Sequence, residues 1–147
     1  MSVPAAARAL RPAYLATAYW AYTPRGAIEI RVGVRSLVLE RVLREYAERD
    51  WIFLTAFNPH SRPAPAAVNQ AAQTRLLARL HAAGGIVFPG TGVPDGTGWV
   101  PEPGFLGVGI DAPRGLALAA EFGQNALLAG AAGTAADLLW TAESEAD

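Results

Sequence analysis

The side chains able to bind or react fall into two groups along the chain. Thr55, Asn58, His60 and Ser61 close an apolar run at 51–57 and are joined from a distance by Gln124, while Glu102 stands with Asp95 and Trp99. In the first group, Asn58-Pro59 ends the apolar run and opens toward a helix, whose unpaired N–H groups favour negative charge. His60 could donate a proton or a hydrogen bond, and Arg62 offers a planar charged fork. The pattern suits an anion or nucleotide fragment, although the same residues also serve as ordinary turn and helix-cap chemistry. In the second group, Glu102 lies between Pro101 and Pro103, close after Trp99. An apolar neighbour raises a carboxyl pKa and suits it to acid/base work; the bland alternative is a glutamate that bonds loop amides. Only Asp95 offers a second carboxylate, so a glycosidase pair is unsupported. Asn69 and Gln73, four residues apart, flank an apolar helical stripe, where an amide either satisfies loop backbone or reaches a ligand.

Composition narrows the chemistry further. The 147-residue chain contains neither lysine nor cysteine. That removes Schiff-base and pyridoxal-phosphate chemistry, the lysine of a P-loop, thiolate nucleophiles, iron–sulfur clusters and thiolate zinc sites. His60 and His81 are too far apart to chelate locally, so no metal site and no cofactor are expected. A formal charge of −1 gives no field for nucleic acid or an anionic membrane. Arg41, Arg44 and Arg49 alternate with Glu40, Glu45 and Glu48 and read as one solvated helical surface. No segment has the about 20 apolar residues of a membrane span, and the alanine-rich start lacks the apolar core of a signal peptide. The default location is cytoplasmic.

These residues must be held by a single domain spanning 1–147, since that length buries roughly 70% of its unfolded surface. Residues 14–50 read as a hairpin, 14–22 and 27–34 around Thr23-Pro24-Arg25-Gly26, followed by a helix at 37–47 capped by Ser36. Strands are expected at 51–57, 86–88, 104–110 and 125–129. Helices are expected at 66–83, with Val68, Ala72, Leu76 and Leu80 inward, and from Asp111 to about Phe122. Residues 89–101 read as a loop; its Gly90-Thr91-Gly92 has no helix promptly after it, so a dinucleotide fingerprint is not expected. Within 130–147, Thr134-Ala135-Ala136-Asp137 resembles a capping box before a short C-terminal helix, with an acidic tail beyond.

The order across 51–129 is that of a ferredoxin-like βαββαβ sandwich, an α+β fold, extended by the N-terminal hairpin and helix; a three-layer α/β sheet is the alternative. With the first and third core strands taken as parallel neighbours, Thr55–Ser61 lies beside Gln124-Asn125. Glu102 then falls at the opposite end of the sheet.

The stretches Thr55-Ala56-Phe57-Asn58-Pro59-His60-Ser61, Asn69, Trp99-Val100-Pro101-Glu102-Pro103 and Glu121-Phe122-Gly123-Gln124-Asn125-Ala126, with Thr17 and Tyr19, resemble a bacterial family known as domain of unknown function 3293. The resemblance spans about 14–139 and implies one bacterial domain; it implies no reaction and no residue roles. At the level of strand order the chain is also similar to the small trimeric ligand sensors of the nitrogen-regulator and copper-tolerance type, which place ligands between subunits. A homo-oligomer is therefore an open expectation.

Three functions follow as expectations. The first is a small-ligand binding or regulatory domain for a nucleotide or polar metabolite, drawing on Thr55, Asn58, His60, Ser61, Asn69, Trp99, Glu102 and Gln124. The second is a small hydrolase-type enzyme with His60 or Glu102 as acid/base, and Asn58 and Gln124 orienting substrate. The third is a protein-interaction module using exposed aromatics.

Overall fold

The computed structural model describes residues 5–96 and 100–141, with side chains from residue 9 onward. Trp99 and the acidic tail at 143–147 lie outside the described residues. Four helices, α1 (Ala5–Leu15), α2 (Leu37–Glu45), α3 (Ala66–Ala82) and α4 (Ala112–Glu121), accompany seven strands among the described residues. The strands are β1 (Thr17–Thr23), β2 (Gly26–Ile30), β3 (Asp50–Leu54), β4 (Ile86–Pro94), β5 (Glu102–Val108), β6 (Ala126–Ala131) and β7 (Asp137–Trp140). They form one sheet in the order β2-β1-β4-β5-β3-β6-β7, every neighbouring pair antiparallel. The protein is therefore a mixed α/β fold. No described helix is long and apolar enough to cross a membrane.

The sheet curls until its two edges meet. Gly33 N–H donates to Ala136 O at 2.8 Å and Ala136 N–H to Val34 O at 3.2 Å, closing a parallel bridge between Val32 and Ala136. Ile28 and Ile30 from one edge strand and Leu138 from the other consequently pack in a single cluster with Trp51, Phe53, Phe88, Leu106 and Leu128. This is the concave face. Leu39, Val42 and Leu43 of α2 fill part of it, on a helix whose start is capped by the Ser36 hydroxyl accepting from Leu39 N–H. The period-two alternation of β3 sends Ile52 and Leu54 to the convex face, where they meet Ala72, Leu76 and Leu80 of α3 and Leu118 and Ala119 of α4. Both faces of β3 are buried, as its unbroken apolar run predicts.

Several expectations are corrected. Residues 14 and 15 end a helix instead of starting a strand: the alanine-rich segment from Ala5 suits a helix, and the β-branched Thr17 opens β1. The expected C-terminal helix does not form at residues 134–140. Thr134 closes a turn, with its hydroxyl accepting from Ala131 N–H at 3.1 Å and donating to Ala131 O at 2.9 Å, and 137–140 becomes the edge strand β7. The expected loop at 89–101 is strand as far as Pro94, because Gly90 and Gly92 allow close packing against β1. Val68 is exposed, and the inward stripe of α3 is instead Asn69, Ala72, Gln73, Leu76 and Leu80. Glu40 is buried, not part of a solvated surface; its carboxylate takes two bonds from Arg35 and one from Gly133 N–H at 3.0 Å.

The correction that matters for function concerns β3 and β5. They are antiparallel, with Trp51 opposite Val108 and Leu54 opposite Phe105. The start of β5 therefore lies at the end of β3, and Glu102 arrives beside Thr55 instead of at the far end of the sheet.

Candidate functional site

Where β3 ends, β5 and β6 begin and β4 runs out, the concave face is not filled by α2. A cavity of about 370 Å³ remains. Its floor is Phe53, Leu128, Ala126 and Gly92; Tyr19 and Thr17 of β1 form one wall, and Leu10, Ala13 and Tyr14 of α1 form the cover. Tyr14 also meets Trp140 of β7 edge to face, with ring centroids 5.5 Å apart, which seats the helix across the opening.

The polar wall is built outward from α3. Asn69, buried on the inner side of that helix, accepts from Asn58 N–H at 2.9 Å. Its own amide donates to Asn58 Oδ1 at 2.8 Å and to Ala64 O at 3.3 Å. Ala64 N–H adds a second bond to Asn58 Oδ1 at 3.1 Å. The Asn58 oxygen is thereby occupied on the protein side, so its Nδ2 is the end turned toward Glu102. One turn further along α3, Gln73 accepts from Ala56 N–H at 2.7 Å, and Thr55 Oγ1 donates to Pro103 O at 2.7 Å across to β5. Asn69 and Gln73, on the same inward stripe as Ala72, Leu76 and Leu80, thus satisfy loop backbone, as buried amides commonly do.

The turn that carries Asn58 is strained. Asn58, His60 and Ser61 all have positive φ, at 47°, 59° and 58°. Asparagine tolerates this region, whereas the other two cost on the order of 1 kcal/mol each. Tertiary bonds hold them: His60 N–H donates to Gly123 O at 2.7 Å, and Asn125 Nδ2 donates to Ser61 Oγ at 2.8 Å. Gly123 must be glycine in practice, since its φ is +66° and a Cβ there would meet Pro59 at 3.1 Å and the His60 ring at 3.2 Å. Gln124 is locked by donating to Phe57 O at 3.0 Å, while Thr141 Oγ1 donates to its carbonyl at 3.1 Å.

Glu102 is the one charged side chain among the described residues that line the cavity. Burial raises its carboxyl pKa above the ordinary range, and hydrogen bonds from Thr55 and Asn58 offset part of that rise. The Tyr14 hydroxyl is pushed up to about 12, first by burial and then by the Glu102 charge. Tyr19 rises for the same leading reason, with Tyr14 and Glu102 adding to it and a Thr17 hydrogen bond opposing. Both phenols are therefore protonated donors near neutral pH.

Of the residues singled out from sequence, Thr55, Asn58, Ser61, Glu102 and Gln124 line this cavity. Asn69 stands behind it and orients Asn58. His60 is exposed and packs on Gly123, outside the lining, and Arg62 is exposed on the same turn. Asp95 is exposed and held by both nitrogens of Arg31, at 2.9 and 3.0 Å, so it does not join Glu102. Tyr14, Tyr19 and Phe53 were not among the sequence candidates. The alternation Thr17, Tyr19, Ala21 in β1 places Tyr19 on the same face as Thr17, and that period was the available signal.

No group of three or more acidic or histidine side chains that could hold a metal occurs among the described residues. What the arrangement can do is accept a small guest, offer it aromatic walls, and present one carboxylate with phenol, hydroxyl and amide donors around it.

Fold and cavity together define a mixed α/β domain with a curled antiparallel sheet and a ligand-sized cavity at one end. The chain belongs to DUF3293, a family of proteins of unknown function, whose match covers residues 54–127, half of the sequence. That segment runs from the end of β3 to the start of β6 and contains Thr55, Asn58, Glu102 and Gln124; α1 and β1, which supply Tyr14 and Tyr19, lie outside it. No curated protein and no solved structure matches the chain.

Proposed function

We propose that this domain binds a small polar metabolite in the cavity beneath α1, with Glu102 as the residue that reads it. The observation that carries the reading is the oriented carboxylate itself. Asn69 fixes Asn58, and Asn58 and Thr55 stand close enough to Glu102 to offset part of its pKa rise, inside a concavity of about 370 Å³, within the usual range for small-molecule sites. Ordinary core packing does not require a carboxylate there, and burying one is unfavourable. Among the described lining residues no arginine or histidine faces the guest. The reading therefore favours an uncharged or cationic metabolite over the phosphates of a nucleotide.

The same proposal includes a ferredoxin-like core. Its support is the antiparallel order β4-β5-β3-β6, with α3 and α4 on one face; β1, β2 and β7 widen the sheet beyond that unit. A bacterial setting belongs to the proposal as well, supported by the sequence resemblance.

A thermal-shift screen tests the binding reading. A ligand at 100 times its Kd stabilises by about 2.7 kcal/mol, so a true guest raises the Tm of the wild type. Gly92→Leu, whose side chain grows into the cavity beside Tyr19, is expected to fold and to lose that rise. A shift of equal size in both proteins would sink the reading. One observation favours a second reading, a hydrolase-type reaction: the raised Glu102 carboxyl can hold a transferable proton. Glu102→Gln then keeps substrate binding and loses turnover.

A further inference from the structure

Glu102 is the one formal charge among the described residues around the cavity, and aromatic residues stand with it, among them Phe53 in the floor, Tyr19 in the wall and Tyr14 in the cover. Tyr19 and Phe53 meet edge to face, at 5.4 Å between centroids and 64° between planes. A neutral guest would leave the carboxylate without a compensating charge. An anion would meet like charge in a partly enclosed site, where that charge is screened less than in open solvent. A positively charged group gains on two counts. It neutralises a partly desolvated carboxylate, and it finds the electron-rich faces of the aromatic rings within the same enclosure.

We infer that the guest is an organic cation: a small amine whose ammonium group docks against Glu102 and whose carbon body lies on Phe53, Tyr19 and Tyr14. This rests on the reading of the cavity as a ligand site and names the chemical class it takes. Recognition is by charge and aromatic enclosure. The Asn58 amide beside the carboxylate keeps the cation in register with it. A bare metal ion fits less well, because a single carboxylate supplies too few anionic ligands for a protein-bound divalent cation. The cover formed by α1 makes the body of the guest apolar: Leu10 and Ala13 face it, whereas the hydrogen-bonding groups gather at the Thr55–Glu102 end.

Three probes of similar shape and different charge separate the outcomes: phenethylamine, 2-phenylethanol and 3-phenylpropionate, each titrated to millimolar concentration into the ¹⁵N-labelled full chain. Side-chain amide signals of Asn58 and Gln124 report on the site directly. The expected result is that phenethylamine moves those signals and binds more than about tenfold tighter than the alcohol, with no detectable binding of the carboxylate probe. In Glu102→Gln the amine and the alcohol should bind alike. If the alcohol matches the amine in the wild type, or Glu102→Gln leaves the amine preference intact, the cation assignment is overturned while the cavity remains a ligand site. If none of the three moves the Asn58 and Gln124 signals, the ligand-site reading fails and the cation assignment falls with it. Tyr14→Phe supplies the control: it keeps the ring, so the amine preference should survive, and losing it would assign recognition to the phenol hydroxyl instead.

Discussion

The two ends of the concave face are made by the same strands and differ in what closes them. At one end α2 inserts Leu39, Val42 and Leu43 against Ile28, Trp51, Phe88 and Val108, and all of these are buried. At the other, α1 lies across Tyr19, Phe53 and Leu128 without filling the space. Each end also holds a glutamate. Glu40 is gripped by Arg35 and Gly133 N–H, so its carboxyl lies below the ordinary range. Glu102 has no cationic partner among the described residues, and its carboxyl lies above the ordinary range. The closed end treats its carboxylate as structure, already neutralised; the open end keeps one whose charge is unmatched. A protein gains nothing in stability from the second arrangement, and that is the reason to read the open end as a site.

The largest expected effect tests packing. Leu43→Ala at the closed end should lower unfolding stability by about 3 kcal/mol, whereas Leu10→Ala on the cover should cost less than about 1 kcal/mol. Denaturant unfolding of both variants measures the difference, and equal losses would mean that the open end is as tightly packed as the closed one.

A pair of glycines in β4 sharpens the same contrast at closer range. A Cβ on Gly90 would stand 2.4 Å from Trp20 O and 2.6 Å from the Phe53 ring, while one on Gly92 would meet its nearest atom, on the Tyr19 ring, at 3.4 Å. Gly90→Ala should therefore destabilise by about 2 kcal/mol and Gly92→Ala by only a few tenths of that. Melting curves showing the reverse order would place the boundary between filled and open space elsewhere.

The smallest effect is in pH dependence, and its sign differs between the two glutamates. Folding raises the Glu102 pKa, so the stability it contributes is complete below the unfolded glutamate value and is lost as pH rises through the folded one. Folding lowers the Glu40 pKa, so its contribution is complete above the unfolded value and is lost as pH falls through the folded one. Wild type minus Glu102→Gln should thus decline with rising pH, and wild type minus Glu40→Gln should climb, in Tm series taken between about pH 3 and pH 8. Two difference curves of the same slope would erase the distinction between the ends.

Much of the architecture was legible in the chain because its signals are local. The Ser36 cap, the Asp111 cap accepting from Arg114 N–H, the turn at Thr23–Gly26 and the doubly buried run of β3 each depend on residues within a few positions. The misreadings arose where a partner overruled local preference. Thr134 to Asp137 spell a helix-like start, yet β6 offers an unpaired edge and takes residues 137–140 as a strand. Pro89 and Pro94 spell a loop, yet β1 and β5 enclose that segment from both sides. Val68 looked inward by composition, but the loop after β3 needed the Asn69 and Gln73 amides there.

From composition and pattern alone came the exclusions, the mixed α/β class, the family resemblance and most of the polar residues that line the cavity: Thr55, Asn58, Ser61, Glu102 and Gln124. A sequence determines these because residue type sets the available chemistry, and short-range spacing sets helix, strand and turn. Which of those residues meet was decided only by the tertiary structure. The antiparallel pairing of β3 with β5 reverses the direction of one strand and brings Glu102 from one end of the sheet to the other, beside Thr55 and Asn58. Strand direction is chosen by how the whole sheet closes and how its helices cross over, a global balance that no local stretch of the chain encodes.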